Sequence, residues 1–91
     1  MERLRRKFLS NRQRDLDLLS SALATRDWTT IHTLGHRMKG LAGSYGHEDI
    51  GALGKRLEQA AEEQGTEDIA SAIQELAHTL ERLNPAHDRA A

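Results

Sequence analysis

Apolar residues recur along this chain at the three-and-four spacing of a helix, in four blocks separated by short polar or glycine-bearing breaks. Leu4, Phe8, Leu16, Leu19 and Leu23 predict a first helix from about Glu2 to Ala24. The polar run Ser10–Asp15 predicts an overhang or a weak turn within it. A second helix is expected from Asp27, a residue suited to the N-cap, to about Tyr45, with Gly46 as a stop that accepts positive φ. A third is expected over roughly Glu48 to Gln64, carrying Ile50, Leu53, Leu57, Ala60 and Ala61 on one side and ended by Gly65. Thr66 is placed as the cap of a fourth, whose stripe is Ile69, Ile73, Leu76, Leu80 and Leu83, before Asn84-Pro85 closes it. Connections of two to four residues turn neighbouring helices antiparallel, and no alternating strand pattern competes. The expected fold is all-α, an antiparallel up-down-up-down four-helix bundle over residues 1–85, with a frayed tail over 86–91.

A length of 91 residues leaves room for one core, and the lack of cysteine removes disulfide and thiolate chemistry. No apolar run approaches a membrane span and no signal-peptide core follows Met1, so a cytoplasmic location is expected. Net charge is −1 and aromatic content 3%, which argues against a nucleic-acid partner and base-stacking platforms. The charge is uneven, with Arg3, Arg5, Arg6, Lys7, Arg12 and Arg14 crowding the start and carboxylates loading the middle; such runs read as solvated helix faces.

The candidate chemistry lies on the second helix. At about 100° per residue, Ile31, Leu34, Met38, Leu41 and Tyr45 fall within about 40° of the direction opposite His36, which makes theirs the buried side. His36 therefore faces water. Gly40 and Gly43 lie within about 40° of it, and Lys39 about 60° to one side. Each glycine costs a helix interior about 0.5–1 kcal/mol relative to alanine, and these two sit on the wrong face to serve packing inside the bundle. The pattern is an exposed imidazole beside a side-chain-free floor on which something large can dock. A neutral imidazole nitrogen can attack phosphorus without a base first removing a proton, and a lysine can neutralise phosphoryl oxygens.

Other signals carry less. His32 and His36 are four apart, as two helical metal ligands would be, but a third ligand is missing nearby, so no metal site is expected. His47, His78 and His87 read as surface or loop residues, and Trp28 as a plug at the bundle end. Gly54-Lys55-Arg56 lacks the first glycine and the final hydroxyl of a phosphate loop.

The run His36, Lys39, Gly40 and then Gly46, with Leu-Ala-Gly-Ser-Tyr between, resembles the hallmark H-x-x-K-G of the histidine-containing phosphotransfer (HPt) domain of bacterial phosphorelays. Upstream Leu16, Leu19, Leu23 and Asp27, and downstream Ile50, Leu53 and Leu57-Glu58, extend the likeness over most of the chain. The resemblance implies that His36 accepts a phosphoryl group on Nε2 from a receiver-domain aspartyl phosphate and passes it to another receiver. It also implies that Lys39 steadies that group, with Gly40 and Gly43, flanked by His32, forming the docking face on helices one and two. Glu58 matches the position from which members fix the histidine's tautomer through Nδ1; its alternative reading is a solvated glutamate beside the Leu57 stripe. No cofactor is expected on this chain, Mg²⁺ being expected on the receiver, and the chain would be a phosphohistidine carrier rather than an enzyme. Many members carry a short helix before the long first one, which this chain begins too late to include. It is expected to be a minimal stand-alone protein or part of a hybrid sensor histidine kinase. Gly35, Gly51 and Gly54 depart from the usual pattern and are expected to loosen the bundle. The competing reading is a helical protein-binding or dimerisation module, including a pseudo-HPt that binds receivers without accepting phosphate.

Overall fold

The computed structural model describes residues 2–83, apart from the side chains of Glu2, Leu4 and Arg5; the expectations for the Leu4 side chain in the first stripe, the Asn84-Pro85 stop, His87 and the tail lie outside what is described. Four helices follow in order: α1 Glu2–Ala24, α2 Trp28–Ser44, α3 Glu48–Glu63 and α4 Thr66–Leu83. They pack as a ring in which α1 touches α2 and α4, and α3 touches α2 and α4. Antiparallel register between α2 and α3 is visible in their contacts: His32 meets Glu62, His36 meets Glu58, and Lys39 meets Gly54. Leu19, Ile31, Met38, Ile50, Leu57, Ile69 and Leu76 fill the centre, so every helix contributes to one core.

Helix ends follow local chemistry. Asp27 accepts from the Thr30 N–H at 3.1 Å and from the Thr30 hydroxyl at 2.6 Å, and these bonds hold its carboxyl below the usual range. Gly46 takes φ +75° after α2, as expected of a stop. At the end of α3 the left-handed residue is Gln64 (φ 56°) rather than Gly65. Gly65 instead starts the next helix: its carbonyl accepts from Ile69 N–H at 3.0 Å, which makes Thr66 the first helical residue and not its cap. The two-residue turn thus falls one residue earlier than the sequence suggested.

The buried side of α2 is rotated from the projected one. Ile31, Leu34 and Met38 are buried as expected, but Gly35 and Ala42 complete the stripe, while Leu41 and Tyr45 are more than a third exposed. The cause is the closeness of α3. A Cβ on Gly35 would lie 2.7 Å from the Gly54 carbonyl oxygen and 2.8 Å from the Glu58 nitrogen. One on Gly54 would lie 2.7 Å from both the Gly35 oxygen and the Lys39 nitrogen. Far from loosening the bundle, these two glycines let the backbones of α2 and α3 touch; Gly51, whose added Cβ would sit 3.4 Å from that of Ala42, tolerates more.

The polar run in α1 is neither overhang nor weak turn. The helix is continuous, and Arg12 and Asp15 are buried as a pair, Arg12 Nε donating to Asp15 Oδ2 at 2.8 Å. The Arg12 guanidinium lies 4.9 Å from the centre of the Phe8 ring. Phe8 in turn stacks with Tyr45 (4.6 Å) and with His47 (5.2 Å, planes 4° apart). His47 is therefore not a surface residue but a buried flat ring at the head of α3. On the far side of α3, Arg56 donates to Asp68 and Ser71 at 3.0 Å each and also bonds Glu75, tying α3 to α4.

Gly35→Ala is expected to lower unfolding free energy by about 1–3 kcal/mol, because the added methyl must force two backbones apart. Gly40→Ala, where an added Cβ meets nothing within 4 Å, is expected to raise it by about 0.5–1 kcal/mol through helix propensity. Urea unfolding of the two variants beside the parent reads both signs.

Candidate functional site

The close α2–α3 contact decides what His36 can meet. Its side chain stays 67% exposed, yet its Nδ1 lies 2.8 Å from Glu58 Oε2 on the facing helix. Glu58 is only 12% exposed, and its other oxygen accepts from Lys39 Nζ at 2.7 Å. One sheltered carboxylate thus serves two donors from the same face of α2. The two readings left open for Glu58 are separated by this geometry: it is not a solvated glutamate.

The hydrogen bond from Lys39, and next that from His36, hold the Glu58 carboxyl below its ordinary 4.5, so it stays ionised at neutral pH. An ionised carboxylate can only accept, so the proton of that bond belongs to Nδ1. In the neutral ring the other nitrogen, Nε2, then carries a bare lone pair. His36 sits on the side of α2 that faces away from the core, so the ring offers solvent a nucleophile whose tautomer is set from behind.

Lys39 does not stand free beside Nε2 but rests on Glu58, on a side chain 41% exposed. Gly40 and Gly43 have open space where side chains would be, one and two turns beyond His36, so the bare floor read from the sequence is present. His32 lies one turn before His36; its Nε2 is 2.9 Å from Glu62 Oε2 and 3.8 Å from Glu58 Oε2. The site leans on α3 rather than α1, since both ring contacts of His36 and His32 come from α3. Glu62 went unnoticed in the sequence. The available signal was symmetry: His32 precedes His36 by one turn, and Glu62 follows Glu58 by one turn on the antiparallel neighbour. Among the described residues, no group of three histidine or carboxylate side chains is arranged to hold a metal ion, and no helix is long and apolar enough to cross a membrane.

A protein-family model described as "Hpt domain" matches residues 3–86, nearly the whole chain. No curated protein and no solved structure matches it.

Because the folded-state pKa of Glu58 is depressed, its ion pair contributes stability above the ordinary carboxyl range and loses it as pH falls through the folded value. The stability difference between the parent and Glu58→Gln is therefore expected to be largest near neutral pH and to shrink steadily below about pH 4.5. Urea midpoints of both proteins across an acid series measure it; a difference that does not change with pH would contradict the pairing.

Proposed function

The chain belongs to the Hpt domain family, phosphocarrier modules that work with receiver domains in two-component signalling, and on that premise we propose that His36 is its phosphoryl acceptor. The observation that carries this reading is the tautomer lock: Nδ1 held by Glu58 at 2.8 Å while the ring remains two-thirds exposed.

In the proposed transfer, the Nε2 lone pair forms a bond to phosphorus as the phosphorus–oxygen bond of a receiver's aspartyl phosphate breaks. The electron pair leaves with the aspartate as a carboxylate. No proton has to move. The ring keeps its Nδ1 proton and gains a positive charge, which the Glu58 carboxylate opposes through the bond it already makes. Return transfer runs the same path backwards, with a carboxylate of a second receiver attacking phosphorus and Nε2 leaving with its pair. Lys39, on its flexible part-exposed stem, exchanges its bond to Glu58 for one to the phosphoryl oxygens. Gly40 and Gly43 admit the receiver's surface to the backbone, and His32 borders that contact. The acidic pocket and Mg²⁺ that balance the transferring charge belong to the receiver in this scheme, and this chain contributes a positioned nucleophile. It is a carrier between partners, not a catalyst by itself.

Incubation with receivers charged by acetyl phosphate in Mg²⁺, followed by intact mass, tests the proposal. The parent is expected to gain one phosphate that is acid-labile and base-stable, and His36→Gln to gain none. Gly43→Leu is expected to keep its circular dichroism, since a side chain there meets nothing within the bundle, yet to lose uptake by steric exclusion of the receiver. Tight receiver binding with no added mass in the parent would instead make the chain a binding module without phosphotransfer.

A further inference from the structure

His36 is not the sole donor within range of Glu58. His32 Nε2 stands 3.8 Å from Oε2, the same oxygen that accepts from His36 Nδ1, and is drawn off by Glu62 at 2.9 Å. We propose that Glu62 is a positioning residue: by occupying the Nε2–H of His32, it keeps Glu58 committed to His36.

A carboxylate accepts only, so the short contact to Glu62 requires His32 to carry its proton on Nε2. That N–H has two acceptors before it, one turn apart on α3, and can point at one of them. Aimed at Glu62, it leaves Glu58 to His36 and Lys39. Without Glu62, the same N–H closes on Glu58 Oε2 and competes with Nδ1 of His36 for one oxygen. His36 then keeps its proton on Nδ1 for a smaller fraction of the time, and the complementary tautomer has no lone pair on Nε2.

The surroundings favour this exchange over a mere surface pairing. Glu58 is sheltered and fixed by two bonds, whereas Glu62 is 62% exposed and His32 39%, so the exposed carboxylate is the one that holds the competitor away. The titratable groups facing His32 from α3 are Glu58 and Glu62; its own helix places His36 and Lys39 across the same carboxylate. Among the described residues, no α1 carboxylate lies within ion-pair distance of His32, and α4 does not touch α2.

This inference rests on the phosphoryl-acceptor reading for its consequence, but not for its test, which reads the His36 ring directly. Nitrogen-15 NMR of the full chain, at a pH where both rings are neutral, gives the ratio of the two His36 tautomers. Glu62→Ala is expected to shift that ratio about two- to fivefold toward the Nε2–H form, the size an exposed pair supports. Phosphoryl uptake from a charged receiver is expected to slow by a similar factor, with helix content unchanged. Removing the competitor as well, in the double variant Glu62→Ala with His32→Ala, is expected to restore the parent's tautomer ratio. A Glu62→Ala ratio equal to the parent's, or a double variant that stays shifted, would overturn the proposal. A shift that the double variant reverses, in a parent that takes no phosphate from any receiver, would uphold the positioning role while defeating the acceptor reading.

Discussion

The site depends on a place where two helices meet with nothing between them. Gly35 on α2 and Gly54 on α3 face one another so closely that neither position has room for a methyl group. That contact sets the separation of the two helices, and the separation sets whether a glutamate on one can reach an imidazole on the other. Glu58 follows Gly54 by one turn and His36 follows Gly35 by one residue, so the bond between them is the first to feel any widening of the seam. Backbone contact is stiff in a way that side-chain contact is not, because interiors resist small changes in volume. A donor–acceptor distance of 2.8 Å is thereby carried by the frame rather than by the two side chains alone.

A phosphocarrier needs little chemistry of its own, and in the proposed transfer that little is concentrated in one carboxylate. Glu58 orients the ring, keeps Lys39 at hand and opposes the charge that transfer would place on the ring, all from a sheltered position where its charge is weakly screened. The remaining face of the ring is left to solvent beside two glycines that add no obstacle. Preorganisation of this kind shortens the list of things that must move when a partner arrives.

Much of this was legible from residue order. Four helices, their short connections, an outward His36 and an open floor at Gly40 and Gly43 follow from periodicity and a single-helix projection. What a projection cannot hold is the neighbour. Gly35 and Gly54 read as weaknesses because each helix was judged alone, and their meaning appears once the other backbone stands opposite. The same limit misplaced Leu41 and Tyr45, since the pull of α3 turns the buried stripe toward Gly35 and Ala42. Arg12 and Asp15 looked solvated because each is charged, yet together they are nearly neutral and sit beside a ring that welcomes the guanidinium. His47 sits in the loop ahead of α3, yet it is buried and used for the flatness of its ring. Gln64 shows that a turn can borrow the left-handed region from an ordinary residue when the adjacent glycine is needed to begin the next helix.

Arg56 gives the architecture an unequal grip. One flank of α3 is clasped by backbone against α2; the other is pinned to α4 by a guanidinium spread over Asp68, Ser71 and Glu75 at the protein surface. Glu58 lies two residues beyond Arg56 but faces α2, on the flank that the backbone clasp holds. Dissolved ions screen exposed charges over a Debye length of about 8 Å in physiological salt and leave buried apolar contact almost untouched. Concentrated electrolyte would accordingly loosen this surface pin between α3 and α4 while the backbone clasp on the opposite flank, and with it the aim of the carboxylate, held firm.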